Sequence, residues 1–229
     1  MKPVLSIMGC VLGILATSGA ALGQTSSKSY PVQGFDSVTI RIPATVEITR
    51  TDRASVRITA EPKVLDRLQV TERNRSLLIE SPKGFSTNQP LTIAIGTAEL
   101  KVVALEAAGD ITISRPRGQQ LDLRSSGAGT MQVNGAEIGA MKVKLDGSET
   151  IKLDGKATAL ELKLTGASSV DASALRTSRV VVTVEGASDV AIHADESIDA
   201  TVSGSGSVRY QGKATVKQRV SGAGSVERN

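Results

Sequence analysis

The C-terminal part of this chain repeats with a period of 18 to 20 residues. Each copy contains an alternating apolar run, a turn of very small residues and a short apolar pair. A fixed period of this length is typical of solenoids, in which each repeat buries its apolar face only against its neighbours. Five clear copies of the turn begin at Leu145, Leu164, Val184, Val202 and Val220, and two looser copies begin at Leu105 and Ser125.

Alternation with a period of two residues predicts strands with one buried face. The longer period places like positions on top of one another in successive turns, and no helical pattern intervenes. The sequence therefore predicts an all-β fold, a single-stranded parallel β-helix of about 18–20 residues per turn. We expect a right-handed coil, with residues 103–226 forming regular turns and residues 35–102 forming a less regular, strand-rich start.

The small residues of the turn have a physical cause. Glycine permits positive φ or the close approach of a neighbouring turn. Polar side chains after it can hydrogen-bond to amides within and between turns, which we interpret as a structural ladder. The turn glycines are Gly127, Gly147, Gly166, Gly186, Gly204 and Gly222, and the ladder positions are Asp110, Thr130, Thr150, Ser169, Asp189, Ser207 and Ser225.

The first residues read as an export signal. A basic start at Lys2 and an apolar stretch at 4–15 precede a small-residue cleavage site ending at Gly23, so residues 1–23 are expected to be removed. Lipidation at Cys10 is the less favoured interpretation, because little apolar sequence precedes it. Residues 24–34 are rich in Ser and Gln and are expected to be flexible, followed by one domain over 35–226.

Two local features are predicted inside the irregular part. Residues 62–68 can hold a helical turn. The runs Leu68–Val70 and Leu77–Ile79 flank Glu72–Arg75 as a hairpin.

Composition excludes several classes of function. The formal net charge is only +4, and four aromatic residues are present with no Trp. Nucleic-acid binding is not expected, because it uses concentrated positive charge or aromatic platforms. With one His and one Cys in the whole chain, ordinary zinc sites and Cys-His nucleophiles are not expected either, and no cofactor is predicted.

Catalysis has few candidate residues. His193 could form a Ser-His-Asp arrangement with Asp189 or Asp195, but we interpret it as a solvated histidine. Polysaccharide-cleaving β-helices need clustered carboxylates, whereas Glu149 and Asp189 lie two turns apart. The prediction is a non-enzymatic protein.

One outward column carries three cations. Arg124, Lys144 and Lys163 should stack on consecutive turns and be continued by Thr183, Thr201 and Arg219. Two interpretations remain open: a solvated face crossed by ion pairs, or a flat strip that binds anions such as lipopolysaccharide, acidic glycan or an envelope protein.

Three segments resemble a known bacterial family. The turn at Val202–Gly212, the run Phe35–Ile40 and the run Ser76–Ile79 are similar to the family described as putative auto-transporter adhesin, head GIN domain. The resemblance implies an exported β-helical protein and suggests adhesion, without supplying catalytic or ligand-binding residues.

The expected function is a non-enzymatic, adhesin-like binding protein of the cell envelope in a Gram-negative-type bacterium, located in the periplasm or at the surface. A periplasmic structural or assembly protein and a polysaccharide-active enzyme are the alternatives. A membrane-spanning segment is not expected after signal cleavage. The partner is unknown, and a monomer or weak dimer is expected because end strands can pair.

Overall fold

A computed structural model of the protein describes residues 25–229, so the expected signal sequence and Cys10 lie outside the described residues. Strands hold 71% and helix 2% of the described residues, which confirms the all-β prediction. The strands are β1 (Ser26–Tyr30), β2 (Ser37–Ile40), β3 (Ala44–Arg50), β4 (Ser55–Ala60), β5 (Gln69–Arg73), β6 (Ser76–Glu80), β7 (Thr92–Thr97), β8 (Val102–Leu105), β9 (Gly109–Ser114), β10 (Arg117–Ser125), β11 (Ala128–Leu145), β12 (Ser148–Gly166), β13 (Ser169–Gly186), β14 (Asp189–Gly204), β15 (Ser207–Gln211), β16 (Thr215–Gly222) and β17 (Ser225–Arg228), and the helix is α1 (Pro62–Leu65).

The repeats form a parallel β-solenoid, as predicted. Strands β11 to β14 each bend through most of one turn and pair in parallel with the next strand. The register is the one that the turn motif predicts, since Leu145 pairs with Leu164 and Leu164 pairs with Val184. The coil has about six turns, and the sequence contains seven copies of the glycine-turn motif.

The core is a continuous stack of aliphatic side chains inside the coil. The inward-facing residues of the alternating runs are buried, including Leu123, Val143 and Leu162, whereas Ala107 and Tyr210, at such positions by the same alternation, are only half-buried. A further buried column was not predicted: it lies on a third face and contains Ile138, Ala157, Thr177 and Ala194.

The irregular start contains two turns of the same coil. Strand β2 pairs in parallel with both β6 and β8, and Val38 lies between Leu77 and Val103. Strand β3 lies between β7 and β9 in the same way. The order of turns in space therefore differs from their order along the chain: the first turn formed by the sequence is enclosed by the second and the third.

Antiparallel strands and a short helix close this end of the core. Strand β4 pairs with β7, and β5 pairs with β6 in the predicted hairpin. The predicted helical turn is α1, which buries Val64 and Leu65. Flexibility was expected for residues 24–34, but residues 26–30 form β1, because the outer edge of β4 supplies a ladder for them.

Asp36, the residue before β2, is hydrogen-bonded to the residues that precede β6 and β8. The backbone carbonyl of Asp36 accepts a hydrogen bond from Lys101 N–H at 2.7 Å, and its carboxylate accepts bonds from Arg75 at 3.1 Å and from Lys101 Nζ at 2.9 Å. The side chain is only 14% exposed. Partial burial raises the pKa of this carboxyl group, but the hydrogen bonds from Lys101 and Arg75 outweigh it and hold the pKa below its usual value.

The turns are packed backbone against backbone. A Cβ added to Gly166, whose φ is +120°, would lie 2.5 Å from the carbonyl oxygen of Gly147. All six predicted turn glycines face a carbonyl of the preceding turn in this way, and four of them have positive φ. Close approach is therefore their shared reason for being glycine.

The side-chain hydrogen bonds between neighbouring glycine turns come mainly from the residue before each predicted ladder position. Ser188 Oγ accepts the Ser168 N–H at 3.0 Å, and Ser168 Oγ donates to the Gly147 carbonyl at 3.1 Å. The predicted ladder column contributes two bonds of this kind: Thr130 N–H to Asp110 at 2.9 Å, and the Ser207 hydroxyl to Asp189.

Candidate functional site

The three predicted cations stand side by side on one flat face. Arg124 pairs with Lys144 and Lys144 pairs with Lys163 in the sheet ladder, and all three side chains are exposed. The column continues through Thr183, Thr201 and Arg219. We call Arg124, Lys144 and Lys163 the basic strip.

Two of the three cations are compensated by acidic neighbours. Arg124 forms a two-bond pair with Asp122 at 3.2 and 2.5 Å, and this hydrogen bonding raises the pKa of the Arg124 guanidinium. Lys144 Nζ lies 3.0 Å from Asp146. In the part of the chain that the structure describes, Lys163 forms no ion pair, so its ammonium is the most available charge of the strip.

An apolar groove runs beside the basic strip. Its floor is a column of five residues where the chain bends into the flat face, and all but Arg179 have short side chains: Ala140, Ala159, Arg179, Ser197 and Thr215. The groove encloses about 450 Å³ and reaches across five turns of the coil. We call this feature the apolar groove.

The wall of the groove combines one apolar side chain with paired charges. Val181 stands in the middle of the wall and is 49% exposed. It is flanked by the pair Lys142–Glu161 at 3.1 Å and by the pair Lys217–Asp199 at 4.0 Å. Because these charges neutralise one another, the centre of the groove is the least polar part of this face.

The groove and the strip form one continuous surface. Glu161 of the wall and Lys163 of the strip lie two residues apart on the outer side of β12, at a distance of about 7 Å along the strand. A ligand in the groove can therefore reach the free ammonium of Lys163.

Of the residues considered for catalysis, the structure brings together His193 and Asp195. His193 Nε2 lies 3.3 Å from Asp195, while Asp189 accepts a hydrogen bond from Ser207 instead. Glu149, which the sequence places two turns away from Asp189, turns its side chain inward and is 3% exposed, because Gly147 leaves space for its carboxylate at the turn. Within residues 25–229 there is no group of three or more His, Cys, Asp or Glu that could hold a metal ion.

The groove was not predicted from the sequence. Its signal was a small residue directly before four of the inward runs, a series that Arg179 interrupts: Ala140, Ala159, Ser197 and Thr215. Short side chains at bends are common for packing reasons alone, so this pattern did not distinguish a groove from an ordinary corner.

The fold and the surface define a rigid β-solenoid that presents a flat face with a strip of cations beside an apolar groove. The chain belongs to the family described as putative auto-transporter adhesin, head GIN domain, which matches residues 34–214 and confirms the resemblance seen in the sequence. No functionally curated protein is significantly similar to it.

Solved structures share the whole architecture. A putative adhesin from Bacteroides fragilis superimposes with a TM-score of 0.86 at 23% identity, covering 90% of this chain and 97% of that one. A putative lipid binding protein from Parabacteroides distasonis gives 0.73 at 18% identity, covering 91% and 98%. A putative adhesin from Parabacteroides merdae gives 0.67 at 20% identity, covering 91% and 97%. At these identities the likeness establishes the fold alone.

The structure contains, within residues 25–229, no helix with the length and apolar character that a membrane crossing requires.

Proposed function

We propose that the protein is an exported, non-enzymatic binding protein of the bacterial cell envelope, adhesin-like in the sense that its rigid face captures an envelope component. Membership of the putative adhesin family supports this class of function. The signal pattern of residues 1–23 supports export, either to the periplasm or to the cell surface.

The register of the basic strip is the observation that carries the proposal. The sheet fixes the backbone positions of three cations at a spacing of about 4.8 Å along the rod, so little backbone freedom is lost when a ligand binds. Repeated anionic groups, such as those of lipopolysaccharide or an acidic glycan, complement such a row. The ammonium of Lys163, at one end of the row and without an ion pair among the described residues, is its most available contact.

The apolar groove favours a ligand that also has an apolar part. One protein of the same fold is described as a putative lipid binding protein. A groove of about 450 Å³ is within the usual range for small-molecule sites. An envelope lipid carrying anionic groups would use both parts of the face.

Charge reversal tests the proposal. The triple variant Arg124→Glu, Lys144→Glu, Lys163→Glu should lose at least tenfold in affinity for purified lipopolysaccharide or acidic envelope glycan, measured by biolayer interferometry. A matched control reverses three exposed cations elsewhere: Lys152, Lys156 and Arg176. Equal loss in both variants would refute the strip as the site, because it would show an effect of net charge only.

Location requires a separate experiment. Protease treatment of intact cells that express a tagged protein should be compared with periplasmic and membrane fractions. Cleavage on intact cells supports adhesion at the surface. Protection within the soluble periplasmic fraction refutes surface adhesion and directs the search to periplasmic partners.

A further inference from the structure

The apolar groove is long, narrow and parallel to the rod. Its floor passes through five consecutive turns, from Ala140 to Thr215, and four spacings of about 4.8 Å give a length of about 19 Å. The residues of the floor are short except for Arg179, whereas the side chains of the wall are long or branched. This shape suits an unbranched chain lying along the axis rather than a compact ring system.

The alanine part of the floor cannot supply hydrogen bonds to a ligand. Ala159 is paired with Ala140 on one side and with Arg179 on the other, and the inward residue Leu160 is likewise paired on both sides. Backbone donors and acceptors there are thus directed to neighbouring turns, and hydroxyl groups are present only at the other end of the floor, on Ser197 and Thr215. A sugar or an extended peptide lying over Ala140 and Ala159 would lose its hydrogen bonds to water without replacing them, which is costly. A hydrocarbon chain has none to lose.

The charged side chains around the groove leave its centre free for such a chain. Arg179 could cross the floor, but its guanidinium lies 3.8 Å from Glu196 on the far side of the bend. With the acids of the wall already paired, Lys163 is the cation nearest the centre that has no partner among the described residues. Charge complementarity therefore calls for a single anionic group at one point beside the chain.

We propose that the groove binds the acyl chain of an anionic amphiphile, with its phosphate or carboxylate on Lys163. This inference rests on the proposed function, because it narrows the ligand of the same face from anionic envelope material to anionic lipid. The hydrocarbon contacts Val181 and the alanine floor, and the head group occupies the basic strip.

Alkyl phosphates of increasing length test the proposal on the full chain. Binding of octyl, decyl and dodecyl phosphate is measured by calorimetry below the concentration at which they aggregate. Full burial of a methylene group strengthens binding about fourfold, so a groove that is open on one side should give about twofold per methylene. Inorganic phosphate should bind far more weakly than dodecyl phosphate. Equal affinity at all lengths, or for inorganic phosphate, would overturn the proposal.

Variants separate the groove from the strip. Ala159→Glu places bulk and charge on the floor and should abolish the dependence on chain length. Thr158→Glu, one residue away and outside the groove, is its matched control and should retain that dependence. Lys163→Gln should weaken every chain length by the same factor. Val181→Thr is nearly isosteric and replaces the floor variant as the test if Ala159→Glu does not fold. It should weaken the binding of dodecyl phosphate severalfold.

The outcomes of the two proposals can be distinguished. Loss of lipopolysaccharide binding in the triple charge variant, together with affinities for alkyl phosphates that do not change with length, leaves the proposed function standing and refutes the acyl site. Retention of the length dependence in Ala159→Glu also refutes it. Length dependence that is lost in Ala159→Glu and kept in Thr158→Glu supports it.

Discussion

Replacing Gly166 by alanine should destabilise the coil strongly. The residue has φ +120°, and an added Cβ would lie 2.5 Å from the carbonyl oxygen of Gly147 in the preceding turn. Backbone strain of this kind costs a non-glycine residue about 1–3 kcal/mol. Relief of the backbone contact requires the two turns to separate, and overpacking of this sort costs a further 1–3 kcal/mol, roughly.

The unfolded state offsets part of this cost. Alanine restricts the unfolded chain more than glycine does, which contributes about 0.4–1 kcal/mol in the opposite direction. The expected net loss is about 1–5.5 kcal/mol. For a chain of this size that corresponds to a decrease in Tm of about 2–20 °C.

Gly118 provides the matched control. It lies exposed in β10, without positive φ, and an added Cβ would meet nothing within 4 Å. Gly118→Ala should be neutral or stabilising by less than about 1 kcal/mol. Urea unfolding followed by circular dichroism gives both values, and similar m-values would show that both variants lose the same structure. If the two variants differ by less than about 0.5 kcal/mol, close approach of turns does not explain the glycine column.

Two further predictions concern stability. Because the pKa of Asp36 is lowered in the folded state, its contribution is present above the unfolded pKa near 3.9 and is lost as the pH falls through the lower folded value; Asp36→Asn should therefore flatten the dependence of Tm on pH below about pH 4, and an unchanged profile would contradict this. Ser188→Ala removes buried hydrogen bonds between turns and should cost about 1–3 kcal/mol in urea unfolding. Ser178→Ala, at a half-buried serine whose hydroxyl makes no hydrogen bond among the described residues, should cost less than about 0.5 kcal/mol.

The regular turns could be predicted because the chain repeats one local solution. The glycine turn fixes the position of every inward residue around it, so pairing of Leu145 with Leu164 follows from the alignment of two motifs. The basic strip could be predicted from the same alignment, since outward positions stack in register wherever inward ones do.

The start of the coil could not be predicted in the same way. Nothing in the runs around Val38, Leu77 and Val103 indicates which two of them are neighbours in space, because all three have the same alternation. Their order is set by packing of the closing strands and the helix. The groove escaped prediction for a related reason: it arises from the curvature of the chain at Ala159, which the local pattern does not encode.

Because the first turn is enclosed by the second and the third, the N-terminal end of the rod cannot be lengthened by inserting a turn. A turn cannot be added between β2 and its neighbours without breaking pairings on both sides, whereas the coil beyond β10 consists of equivalent layers. Duplication of one 18–20-residue repeat there would lengthen the rod by about 4.8 Å and extend the strip and the groove by one layer. The length of the rod and the length of the ligand that the groove accepts can thus change by one turn at a time during evolution or design. The first three turns stay unchanged.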